Sequence, residues 1–281
     1  TPIIVLENSS ATPRSLGYML FIFVFISLFL FENTQNYYLL AFAVLAGGLI
    51  FLAHRFTTQS FLLFSLFFTI VTGSPWYIIV FILSFFIAML VSKGFYLTVY
   101  KGHIGNLRFW RNNIQYRFAH QIRGIKGQHN TNDFVFRLYN QFLRFPPFVL
   151  AITNPWVLSG LFYFIFTPMT DPIFIRFGQL ILFSYVLALV TIWIPQLRFL
   201  GEGQRYLELS AFPAALLSAV YLNANTNNVY IPLLYGIVSI CSFITIVVIQ
   251  RKAIIKDKIR TLTPNLQKMF AHLKSLKVKP A

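Results

Sequence analysis

The sequence predicts an all-α polytopic membrane bundle of about eight helices, and three observations predict it. Of 281 residues, 57% are hydrophobic and 11% charged, too few charges to surface a soluble globule of that length. The apolar residues fall into runs of helical-span length separated by short polar breaks. The 23 Lys and Arg outnumber the 7 Asp and Glu, and they collect in alternate breaks, as cytoplasmic loops do. The net charge of +16 is therefore read as positive-inside bias and attraction to anionic headgroups, not as a nucleic-acid interface.

Pro13 and Arg14 stand before the first run, Leu16 to Phe31, and Glu32 to Asn36 reads as a turn. Tyr37 to Ala53 is the second helix, in which Gly47 and Gly48 admit a close neighbour. His54 to Gln59 is a polar break, and Ser60 to Thr72 is a short third crossing that borrows length from its flanks. Gly73-Ser74-Pro75 turns the chain into the fourth helix, Trp76 to Val91, with Trp76 and Tyr77 as interfacial anchors. Residues 1–100 thus form one membrane half.

Residues 101–145 form a basic interfacial platform, with Lys101, Arg108, Arg111, Arg117, Arg123, Lys126, Arg137 and Arg144 against Asp133 alone. Leu107, Trp110, Ile114, Phe118 and Ile122 recur at helical spacing, as do Phe134, Leu138, Phe142 and Phe145. This is the pattern of basic helices lying in the headgroup plane.

The second membrane half, 146–250, holds four more helices. Pro147 to Phe166 should kink at Asn154-Pro155, where proline removes a backbone donor. Ile173 to Ile194 carries Arg176 near its outer end, where Asp171 is close enough to pair with it. Arg198 to Glu208 reads as a compact charged loop, Ala211 to Leu222 as a short seventh segment and Tyr230 to Ile249 as the eighth. The tail, 251–281, is basic and amphipathic, with Thr263 as N-cap, Pro264 at the first helical position and an apolar stripe from Leu262 to Leu276. A cytoplasmic N-terminus with eight crossings puts Arg14, Arg55, the platform, the 198–208 loop and the tail all inside. The outer connections then hold no Lys or Arg, and both termini are cytoplasmic, in an integral protein of the inner or plasma membrane. Were the short third and seventh segments re-entrant, the count would be six. The chain opens at Thr1 and ends at Ala281, and reads as processed or as part of something longer.

Chemistry concentrates in Arg198-Phe-Leu-Gly-Glu-Gly-Gln-Arg-Tyr-Leu-Glu208. Glycines let backbone approach a ligand, and the planar guanidinium forks of Arg198 and Arg205 suit phosphate. Glu202 or Glu208 is a candidate base or arginine orienter. The bland alternative is a solvated loop whose ion pairs count for little. His54 and Arg55 with Gln59 form a second candidate, able to meet a headgroup phosphate or relay a proton, against an ordinary interfacial His-Arg pair. His103, between Gly102 and Gly105, is a third. The single Cys241 excludes disulfides within the chain, and no metal-ligand spacing, nucleophile elbow or phosphate-loop glycine pattern occurs, so neither metal nor cofactor is expected.

Three short motifs, Thr12-Pro13-Arg14-Ser15, His54 to Gln59, and Phe199 to Glu208, resemble those of large bacterial GT-C-type membrane glycosyltransferases. The likeness in hydropathy spans the whole chain; in residues it is confined to these motifs. It implies a polyprenyl-phosphate-linked sugar as substrate, in glycoconjugate assembly. Arg14, Arg198, Arg205, Tyr206, His54, Arg55, Gln59 and His103 would then be substrate-binding, and Glu202 and Glu208 catalytic. Two features depart from that family: the first outer connection holds Glu32 but no Asp, and the charge count puts the three motifs on the cytoplasmic face. Two other readings remain open, a structural subunit of a larger membrane complex joined to other membrane subunits, and a carrier of lipid or small anions around Asn154 and Arg176.

Overall fold

The computed structural model describes residues 13–113, 154–201, 203–224 and, in part, 230–247. Residues 1–12, residues 114–153 with the platform's 114–145, the tail 251–281, Glu202, residues 225–229 and seven residues of the eighth run lie outside the described residues, as does the side chain of Arg198. The described residues are helical and contain no strand.

Helices α1 (Pro13–Thr34), α2 (Tyr37–Ala53), α3 (Arg55–Thr72) and α4 (Trp76–Val91) form the first half of the bundle. Helix α1 takes in Glu32 to Thr34, so the turn shrinks to Gln35 and Asn36, whose side chain caps α2 by accepting from the Tyr38 N–H at 3.0 Å. Between α2 and α3 the break shrinks further, to His54 alone. Arg55 to Gln59 belong to the start of α3, which gains length there as expected of the third apolar run. Gly73, at φ 69°, closes α3 in the left-handed conformation that favours glycine.

Beyond α4, helix α5 (Tyr96–Asn112) opens the platform and begins five residues earlier than the charge pattern marks. Then come α6 (Pro155–Phe166), α7 (Pro172–Trp193), a 3-10 helix over Pro195–Leu200, α8 (Gln204–Leu209) and α9 (Ala211–Ala224). Asn154 is not helical and Pro155 is the first residue of α6, where its missing N–H costs nothing; the expected part of this run before Asn154 lies outside the described residues. Two expectations change here. Asp171 does not pair with Arg176. It caps α7 by accepting from the Ile173 N–H at 2.8 Å, while Arg176 meets Glu32 of α1 at 3.1 Å. The 198–208 segment is not an open loop but a 3-10 helix and α8 joined at Gly201 to Gly203.

Helices α1, α3 and α7 are long and apolar enough to cross a membrane, with mean hydropathies of 2.1, 1.2 and 2.0 over their best windows. Helices α2, α4, α6 and α9 are apolar but shorter. At 1.5 Å per residue the 18 residues of α3 reach about 27 Å, close to a hydrocarbon core of about 30 Å.

The core is aromatic. Phe21, Phe25 and Phe29 recur every four residues on one face of α1 and meet Phe61, Phe64 and Phe68 of α3 and Tyr77 of α4. Phe67 stacks on Phe183 at 4.0 Å, which ties α3 to α7. Small residues set the other seams. Gly47 of α2 lies against Ser84 of α4, whose hydroxyl donates to the Val44 carbonyl at 3.1 Å, and Gly48 lies against Ile87. Gly160 of α6 faces the Ala214 backbone of α9. Residues 235–281 form a separate unit, in which Cys241 is exposed.

Candidate functional site

One end of the bundle gathers most of the polar residues that the three motifs contain. The reason is topological. Helix α1 starts there, α2 ends there, α3 starts one residue later, and the 195–209 segment folds back onto that end after α7. Arg14 comes from the first turn of α1, His54 from the joint, Arg55 and Gln59 from the first turns of α3, His103 from α5, and Arg205, Tyr206 and Glu208 from α8.

His54 is the centre of this group. Its Nδ1 lies 3.1 Å from the Thr57 hydroxyl, and its ring stands edge-on to Tyr18 at 6.3 Å between centroids. Burial, then the positive charges of Arg14, Arg205 and Arg55 and the nearby His103, lower its pKa from 6.5 to about 4. His54 is therefore a neutral hydrogen-bonding ring at neutral pH, not a fourth cation. His103 is pushed the same way, by burial first and Arg55 second.

The 195–209 segment is fastened to α3 by contacts separated by more than a hundred residues in sequence. The Gln59 side-chain amide donates to the Leu200 carbonyl at 2.6 Å and to the Tyr206 hydroxyl at 3.1 Å. The Tyr206 hydroxyl in turn donates to the Leu200 carbonyl at 3.3 Å. Its ring, fully buried, packs on Phe56 at 4.9 Å. Burial raises the Tyr206 phenol above its ordinary value, against the opposing effect of the Gln59 bond. Gly201 sits at φ 133°, a conformation other residues rarely adopt, with its Cα turned to the Phe56 ring. Gln59, Tyr206 and Gly201 thus position the segment, and the Gln59 amide nitrogen and the Tyr206 hydroxyl are engaged in holding it.

Glu208 is 6% exposed, and its carboxylate lies beside the Tyr18 phenol, with Arg14 and Arg205 also close to that phenol. A carboxylate so enclosed, with arginines around it, is placed to hold those arginines in orientation. Glycine at position 17 lets α1 come close to the joint: a Cβ there would sit 2.7 Å from Thr57 Oγ1 and 3.1 Å from His54 Cβ.

Of the residues singled out from the sequence, Arg14, His54, Arg55, Gln59, His103, Arg205, Tyr206 and Glu208 come to this one end. Arg198 lies on the adjoining 3-10 helix, and Glu202 is outside the described residues. Tyr18 and Thr57 were missed. Both were within reach of the pattern, since Tyr18 follows Arg14 by four residues on the same helix face and Thr57 follows His54 by three.

Beside this cluster opens a cavity of about 410 Å³ between α2, α3, α4 and α5. Arg55, Thr58, Gln59 and His103 line one part of it, and aromatic and aliphatic side chains such as Phe81, Ile82 and Phe86 line the rest. At the opposite end of the bundle stands a smaller polar group: Arg176 bridges Glu32 and the Gln179 amide, the latter at 3.0 Å, and the Tyr77 hydroxyl lies next to Glu32. Among the described residues no three His, Cys, Asp or Glu side chains group as a metal site would require. Comparison of the chain with family models, with curated proteins and with solved structures finds no match.

Proposed function

We propose that this chain is an integral membrane protein that binds a polyprenyl-phosphate-linked sugar at the Arg14–His54–Arg55–Arg205 end and serves in glycoconjugate assembly, as a glycosyltransferase or part of one. One observation carries the reading: three arginines from three separate helices converge around a neutral histidine at a bundle end, next to an apolar cavity. Three guanidinium groups with the Glu208 carboxylate among them leave this end net positive, and phosphate suits the fork geometry of arginine. Arg198 would extend the phosphate contact. Glu208 would orient Arg14 and Arg205, which leaves Glu202 as the candidate base. Eight crossings of the inner or plasma membrane, with both termini and this end cytoplasmic, accord with the reading, because the basic residues then lie on the side where positive charge is retained.

Native mass spectrometry of the protein extracted with its own lipids tests it. The expected spectrum retains a polyprenyl phosphate or lipid-linked sugar, and Arg205→Ala loses it. Co-purified protein subunits with no such lipid would replace this reading with that of a structural member of a membrane complex.

A further inference from the structure

We infer that the cavity between α2, α3, α4 and α5 is the seat of a single hydrocarbon chain, that of a lipid phosphate whose headgroup lies at Arg55 and His103. The inference rests on the phosphate-binding reading and adds to it where the chain goes. The cavity is about 410 Å³, within the roughly 300–1,000 Å³ of small-ligand sites, and that space suits one chain better than the paired chains of a phospholipid.

Its lining is almost wholly apolar, made by residues such as Leu62, Phe81, Ile82, Phe85, Phe86 and Ile104, with Arg55 and His103 among the lining residues. An apolar seat with a guanidinium in its wall matches a molecule that is anionic at one end and hydrocarbon along its length. Charge complementarity sets the direction of binding. Arg55 belongs both to the cationic cluster and to the cavity wall, so a phosphate held by Arg55 places its chain beside the cavity. Helix α5 forms one wall while burying only Tyr96 of its own residues, so the apolar side chains of that wall, Ile104 among them, have little protein cover of their own.

The test uses the full chain in detergent and measures binding of a polyprenyl monophosphate, of a two-chain phosphatidate and of inorganic phosphate. Ile82→Trp fills the cavity from α4 and Ile104→Trp from α5. Both positions are 40% exposed or more, so neither change disturbs the buried core. Polyprenyl monophosphate should bind wild type best and each tryptophan variant about tenfold more weakly or worse, the loss that removing contact with two methylenes gives. Inorganic phosphate should bind all three alike. Wild-type affinity for polyprenyl monophosphate in both variants overturns the inference, and so does tighter binding of phosphatidate. If Arg55→Gln weakens every phosphate ligand while the tryptophan variants change nothing, the phosphate reading stands and the chain seat falls. If Arg55→Gln also changes nothing, both fall.

Discussion

A histidine enclosed by three arginines behaves differently from one on a solvated helix end, and that difference is measurable. The folded His54 ring resists protonation down to about pH 4, whereas in the unfolded chain it takes a proton near 6.5. Between those values the unfolded state binds more protons, so stability falls as pH falls through the window and is fully present above it. The apparent Tm of the wild type in micelles should therefore drop from pH 7 to pH 4.5 by more than that of His54→Gln; equal drops would remove the burial argument. At this scale the sequence was informative about residue type and less so about role. Arg14, Arg55 and Arg205 stood out by charge. Gln59 and Tyr206 stood out with them but turn out to fasten the 195–209 segment to α3, because hydrogen bonds across 141 and 147 residues leave no trace in local spacing.

Helix seams in an apolar solvent draw on close packing, since lipid competes for any merely hydrophobic contact. The α2–α4 seam is the clearest instance. Gly47 and Gly48 allow α4 to approach until Ser84 and Ile87 touch the backbone of α2, and Ser84 reaches the Val44 carbonyl. Gly47→Val should force the pair apart at a cost of about 1–3 kcal/mol, seen as a lower Tm, whereas Gly102→Val on α5, which has nothing within 4 Å, should leave Tm nearly unchanged. This seam was legible in advance because paired glycines inside an apolar run have few other uses. Element ends were harder to read. Hydropathy stops at the first polar residue, but polar residues such as Glu32 and Arg55 continue their helices as long as backbone bonds do.

For the molecule as a whole, the two polar ends make a prediction about sidedness. Arg14, His54 and Arg205 share one end, and Glu32 and Arg176 share the other. In a Cys241→Ser background, Asn36→Cys should react with an impermeant thiol reagent only from outside sealed, oriented vesicles, and Lys93→Cys only from inside. Labelling of both from one face would refute the eight-crossing arrangement. The all-helical class and apolar helices of spanning length were readable at this scale because hydropathy acts on whole segments, while the folding-back of the 195–209 segment depends on pairings that only three dimensions supply. That folding-back also imposes a schedule. Gln59 waits for Leu200, 141 residues downstream, and synthesis at about 5–20 residues per second makes the delay roughly 7–28 s. Throughout that interval the nascent chain presents Arg14 and Arg55 without Arg205 and Glu208, so this end of the bundle stays incomplete. The order of synthesis therefore makes α8 the closing piece.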